Sequence, residues 1–205
     1  MKKYFITGIG TDVGKTVASA IITQALESDY WKPIQAGDLD TSDSLKVKSL
    51  VKNKTTVFHP EAYRLNHPMS PHAAAKRDGV EINLHNIKLP NTQNHLVLEG
   101  AGGILVPLNR KETILDLISQ LNCEVILVSR HYLGSINHTL MSVELLKQRN
   151  VSIKGILFNG AENKDTESII KEMTGLTILG RIDELVELTP TVINDIAQDL
   201  KSKLL

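Results

Sequence analysis

The sequence predicts a single α/β domain, a mostly parallel β-sheet with helices on both faces, and three observations predict it. Short apolar runs recur along the chain, stretches of helical period separate them, and the first run ends in a glycine-rich loop that opens a helix. With 205 residues, 41% hydrophobic and 22% charged, the chain is sized for one core over residues 1–205 and is too apolar for disorder.

Tyr4-Phe5-Ile6 is a short apolar run that stops at Gly8 and reads as a buried strand. Beyond the loop, Val17, Ala18, Ile21, Ile22 and Ala25 recur at helical spacing, so the helix carries Lys15 and Thr16 at its N-terminus. The stretches "HLVLEG" (95–100), "EVILVS" (124–129), "IKGILFN" (153–159) and "TILGRI" (177–182) read as further buried strands. Helical patterns lie between them at about 113–121, 135–149 and 163–174. Strands joined through helices need right-handed crossovers, which makes the sheet parallel and puts ligands at the strands' carboxyl ends. A last helix, capped by Thr189 with Pro190 in its first turn, presents Val192, Ile193, Ile196 and Leu200 on one face for docking. The least regular region is 52–95, where Ser70-Pro71 reads as one more helix start.

Charge and cysteine content narrow the function. Twenty-three basic residues balance twenty-three acidic ones, which points to a small partner, with no nucleic acid and no membrane surface. Cys123 is the only cysteine, so no internal disulfide or multi-cysteine metal site exists and a reducing, cytoplasmic setting fits. The N-terminal apolar run is too short for a signal-peptide core, and no later run approaches the ~18 residues of a membrane helix.

The loop "TGIGTDVGKT" (7–16) carries the clearest chemistry. A phosphate-binding loop needs backbone N–H groups around the phosphates, a lysine to neutralise them and a hydroxyl for Mg²⁺. The usual first glycine is Ile9 here, with Gly8 and Gly10 beside it, so the loop is a variant in which Asp12, Val13, Gly14, Lys15, Thr16 and Val17 surround the phosphates. Asp43 and Glu99 are the candidate oxygen ligands to join Thr16 on Mg²⁺. Asp43 alone reads more readily as a cap or charge at a helix N-terminus, whereas Glu99, at the tip of an apolar strand, is costly to bury without a cation. Behind it, Gly100, Ala101, Gly102 and Gly103 let backbone approach a ligand.

Other candidates keep two readings. Lys32, in "YWKPIQAG", is either a solvated lysine or a charge aimed at an anionic reacting group. Gly134, Ser135, Ile136 and Asn137 open a helix, where spacing alone favours capping by Ser135 over binding of a carboxylate. Asn159 serves either a base edge or a turn. His72, His131 and His138 lack metal-ligand spacing, and Cys123 reads as a packed thiol.

In order along the chain, "YFITGIGTDVGKT", "KPIQAG", "SDSL", "SPH", "LEGAGG", "VILVS" with "LGSINHT", and "GILFN" resemble the dethiobiotin synthetases, and these stretches span residues 4–159. The resemblance implies a P-loop NTPase domain that pairs into a homodimer. It also implies a reaction joining CO₂ to 7,8-diaminononanoate with ATP and Mg²⁺ to close a cyclic urea, through a carbamate that ATP phosphorylates. On this resemblance, Lys15 binds phosphates, and Thr16, Asp43 and Glu99 hold Mg²⁺ directly or through water. Lys32 stabilises the carbamate and the transferring phosphoryl group, while Thr11, Ala36, Gly102 and Gly103 line the diamine site. The amides of 134–137 meet the substrate carboxylate from the second subunit.

Three departures from the family pattern stand out. Ala36 replaces a frequent serine or threonine, "GRIDEL" puts Asp183 where a proline is common, and little chain follows the 189–204 helix. The first implies that one substrate hydroxyl contact is missing, and the other two imply weak discrimination among nucleoside triphosphates. Two rivals share the loop: a partitioning-type switch ATPase, which typically has an early second lysine in its loop, and a cobyrinate-type amidoligase, which normally adds a glutaminase-like domain.

Overall fold

The computed structural model describes residues 1–205. Nine strands and seven α-helices alternate: β1 (Lys3–Gly8), α1 (Lys15–Leu26), β2 (Asp29–Trp31), β3 (Ile34–Ala36), α2 (Asp43–Leu50), β4 (Phe58–His59), β5 (Tyr63–Leu65), α3 (Pro71–Arg77) and β6 (Leu96–Gly103). Then follow α4 (Ile114–Leu121), β7 (Glu124–Arg130), α5 (Ser135–Gln148), β8 (Ile153–Asn159), α6 (Lys164–Thr174), β9 (Ile178–Ile182) and α7 (Pro190–Leu204).

Seven strands form one sheet in the order β4-β2-β6-β1-β7-β8-β9, and every pairing is parallel. The core divides by the two-residue period of the strands. Tyr4, Ile6, Val97, Ile126, Val128 and Leu157 face the layer of α1, α2 and α7. Phe5, Leu96, Leu98, Val125, Leu127, Ile156 and Phe158 face the layer that includes α4, α5 and α6. Each such side chain, fully buried, stabilises the fold by roughly 1.5–3 kcal/mol. Both faces being covered explains why the strands read as continuous apolar runs.

The expected helices and strands are present within a few residues of their predicted ends. Capping accounts for the sharper ones: Thr113 and Asp116 form a reciprocal cap on α4, and the Thr189 hydroxyl accepts from the Val192 amide at the start of α7. The Tyr4 hydroxyl donates to the Leu204 carbonyl at 2.6 Å, fastening α7 to the central strand. The irregular region is more ordered than its sequence suggested. β4 extends the main sheet, and β3 and β5 pair in a separate two-stranded sheet that carries Ala36. Strands of two or three residues are too short to leave a periodic signal.

The chain leaves β1 through α1 toward β2, beyond β6, whereas β6 leads through α4 to β7 on the opposite side of β1. This reversal opens a crevice at the carboxyl ends of β1 and β6, where an open α/β sheet binds its ligands.

Candidate active site

The loop between β1 and α1 owes its shape to its glycines. A Cβ on Gly8 would collide with Val13, so the glycine expected at position 9 is served at position 8 by close packing of the loop on itself. Gly14 has φ +95°, and a Cβ there would strike the Asn159 side chain. Asn159, at the end of β8, donates Nδ2 to the Val13 carbonyl at 2.9 Å. Its amide therefore clamps the loop from β8 and makes no turn of its own.

Lys15 begins α1 and donates Nζ to the Gly10 carbonyl at 2.8 Å. Burial pushes its pKa below the ordinary lysine value, against the pull of Glu99. Thr16 donates its hydroxyl to Glu99 Oε1 at 2.9 Å. The strand register delivers Glu99 to that point. It pairs with Ile6, after which the pairing jumps to Gly8 with Gly103, so residues 100–102 bulge toward the loop. Gly102 accepts the bulge with φ +66°.

Lys32 emerges just after β2 and closes the cluster. Its Nζ lies 2.8 Å from Asp43 Oδ2 and 3.1 Å from Glu99 Oε1, with only 4% of the side chain exposed. Burial alone would lower its pKa, but the two carboxylates outweigh burial and raise it, so the ammonium stays charged. The same pairing with Lys32 holds Asp43 below the usual carboxylate range despite its own burial. Asp43 is the first residue of α2, whose cap is the Ser42 side chain, leaving the carboxylate free for Lys32. The solvated reading of Lys32 falls, whereas Asp43 does stand as a charge in the first turn of α2 and pairs with Lys32 as well. Thr16, Asp43 and Glu99 form a hard-oxygen donor set with two carboxylates, which suits a Mg²⁺ that keeps several waters and binds substrate phosphates. No group of three or more His, Cys, Asp or Glu side chains converges on a competing metal site.

A cleft of about 930 Å³ opens above this cluster. It is lined by Thr11, Asp12, Gly14, Lys15, Thr16 and Val17 from the loop, by Lys32, Ala36 and Asp43, and by Glu99, Gly100, Ala101 and Gly102. Val13 is buried beneath it, and Gly103 and Asn159 support it from outside. Gly134, Ser135, Ile136 and Asn137 do not reach it within the chain. The cap of α5 is Gly134 in a left-handed conformation, and Ser135 is buried with no capping bond, contrary to the capping expected from its spacing. Lys46, Val106 and Leu188 also line the cleft and carried no motif, and Gln35, within "KPIQAG", lines it without having been singled out. Tyr30, whose hydroxyl donates to Glu99 Oε2 at 2.8 Å, was missed as well. The signal was its place two residues before Lys32 on an extended segment, which puts both on one side.

A parallel sheet with a phosphate-type loop at its central strand, and paired lysines and carboxylates above it, defines a P-loop domain that uses nucleoside triphosphate. Residues 2–192 match a family model described as an AAA domain. A dethiobiotin synthetase of Christiangramia forsetii, described as ATP-dependent, is 57% identical over 203 residues, covering 99% of this chain and 98% of that protein. The Cytophaga hutchinsonii enzyme of the same name is 52% identical, over 98% and 97% of the two chains. The chain therefore belongs to the dethiobiotin synthetase family, ligases of biotin biosynthesis. The cell-division ATPase MinD of Pyrococcus furiosus superposes with a TM-score of 0.65 at 14% identity, over 100% and 98% of the chains, and shares the fold alone.

Proposed function

We propose that the cleft binds ATP and 7,8-diaminononanoate side by side and closes the cyclic urea of dethiobiotin. One observation carries this reading: a buried ammonium, Lys32, held between two carboxylates directly beside the hydroxyl of the phosphate loop. Phosphoryl transfer gains chiefly from positioning and charge neutralisation, and a fixed cation at that point supplies both.

The backbone amides of residues 12–17 and Lys15 hold the triphosphate, and Thr16, Asp43 and Glu99 hold Mg²⁺. When bound, that ion neutralises charge on the phosphate oxygens. The diamine lies against Thr11, Ala36 and Gly102. One amine takes up CO₂ as a carbamate, and Lys32 faces its oxygens. A carbamate oxygen displaces ADP from the γ-phosphorus. The second amine then attacks the carbonyl carbon, the C–O bond breaks, and phosphate leaves with that oxygen. Ala36 offers no hydroxyl, so diamine contacts there are apolar.

Residues 134–137 lie off the cleft within one chain, and the family resemblance supports a homodimer in which they complete the partner's site. No helix is long and apolar enough to cross a membrane. With the lone buried Cys123, this supports a cytoplasmic enzyme.

The test is mass detection of dethiobiotin after incubation with diaminononanoate, bicarbonate, Mg²⁺ and ATP. Wild type should form it and Lys32→Ala should not, although Lys32→Ala still binds nucleotide. Product from Lys32→Ala at the wild-type rate would reject the role of Lys32, and none from wild type would reject the reading.

A further inference from the structure

Glu99 can serve the site only if its carboxylate is held still. The terminal torsion of a glutamate is broad and roughly two-fold, so its two oxygens exchange places unless both are anchored. Oε1 already accepts from Thr16 and lies 3.1 Å from Lys32, the two groups that face the cleft. Oε2 turns the other way, into the core, and meets the Tyr30 hydroxyl at 2.8 Å.

Tyr30 is fully buried on β2 and packs against Phe58 at 5.8 Å between ring centroids. Phenylalanine would satisfy that packing, because a hydroxyl adds nothing to a core except the cost of burial unless it is bonded. Here it is bonded, and its acceptor is the carboxylate shared by the loop hydroxyl and Lys32.

We propose that Tyr30 is a positioning residue: its hydroxyl anchors Glu99 Oε2 so that Oε1 faces Thr16 and Lys32, and so sets how strongly the site couples a divalent cation to nucleotide. The proposal rests on the reading of Glu99 as a cation-facing carboxylate. Tyr30 does not line the cleft, so its link to the site runs through Glu99.

The experiment is calorimetric titration with the β,γ-imido analogue of ATP, without Mg²⁺ and across a Mg²⁺ series, for wild type, Tyr30→Phe, Glu99→Gln and the double variant. Removing such a supporting hydrogen bond weakens metal affinity by about 10–100-fold. Tyr30→Phe should therefore raise the half-saturating Mg²⁺ concentration about tenfold, while affinity without Mg²⁺ stays within about twofold of wild type. Glu99→Gln should show at least the same rise, and adding Tyr30→Phe to it should change it less than about twofold, the mark of one shared interaction. With the diamine present, the Mg²⁺ shift should persist while KM for the diamine is unchanged.

Equal weakening with and without Mg²⁺, or independent effects in the double variant, would overturn the proposal. Should Tyr30→Phe fail to fold, Tyr30→Leu, which also lacks the hydroxyl, must give the same Mg²⁺ shift. Glu99→Gln with wild-type Mg²⁺ dependence would contradict the metal role of Glu99, and the proposal with it. An impaired Glu99→Gln beside an unimpaired Tyr30→Phe would contradict the proposal alone.

Discussion

At the scale of single residues, charge compensation decides what the site can hold. Glu99 is 1% exposed and faces Lys32, which is almost as deeply buried. Removing one partner of a buried pair leaves an uncompensated charge, at a cost of about 3 kcal/mol. Lys32→Ala should thus lose stability by about that amount in chemical denaturation and lose activity at least a hundredfold, yet hold nucleotide within about threefold. Lys15→Ala should instead lose nucleotide binding itself, read by the same calorimetric titration. The sequence exposed these residues unequally. Lys15 and Thr16 sit in a loop whose chemistry demands their types at their spacing. Asp43 and Glu99 were legible as candidate oxygen ligands, but only the fold showed Lys32 held between them. Tyr30 carried only a positional signal beside Lys32, because a core tyrosine and a positioning tyrosine look alike until the hydroxyl has a partner.

At the scale of elements, the loop is held from outside as well as from within. Asn159 at the end of β8 clamps Val13 and presses against Gly14, where φ is +95°. Asn159→Asp puts a carboxylate against the Val13 carbonyl, so nucleotide affinity should fall at least about tenfold, measured by titration, while the global unfolding midpoint changes little. Gly14→Ala should be more damaging, since it adds both a collision and a left-handed strain of about 1–2 kcal/mol. At the opposite end of the sheet, Asp29 accepts from the Thr92 hydroxyl and the Val57 amide, and its Oδ2 lies 3.1 Å from His59 Nε2. Burial would raise its pKa, but these bonds together lower it. A depressed carboxylate stabilises the fold fully above its unfolded value near 4, and loses that contribution as pH falls through its lower folded value. Asp29→Asn should cost about 1–3 kcal/mol at neutral pH and flatten the acid limb of a stability–pH curve. The long alternating elements were legible because each buries a full face. β3, β4 and β5 were not, being two or three residues long and set by contacts distant in sequence.

At the scale of the whole molecule, fold and family answer different questions. The fold is shared with MinD at 14% identity, so it cannot separate a ligase from a switch ATPase. Identity of 57% over nearly the full chain can. Residues 134–137 serve the proposed site only if a second chain brings them to it. Sedimentation should show a dimer, and dilution below its dissociation constant should remove diamine turnover before nucleotide binding. The Asp183 carboxylate, which replaces an expected proline, is bound to Arg181 at 2.7 Å. Loose base selection then predicts turnover with GTP and CTP within about tenfold of ATP, equivalent to about 1.4 kcal/mol, and inert GTP and CTP across a concentration series would contradict it. The central claim, that the cleft transfers phosphate to a carbamate and not to water, is tested most directly with carbon dioxide carrying heavy oxygen. In a short reaction with ATP and diaminononanoate in ordinary water, each phosphate released should carry one heavy oxygen, with one dethiobiotin formed per phosphate. Unlabelled phosphate, released at the same rate without the diamine, would contradict the account.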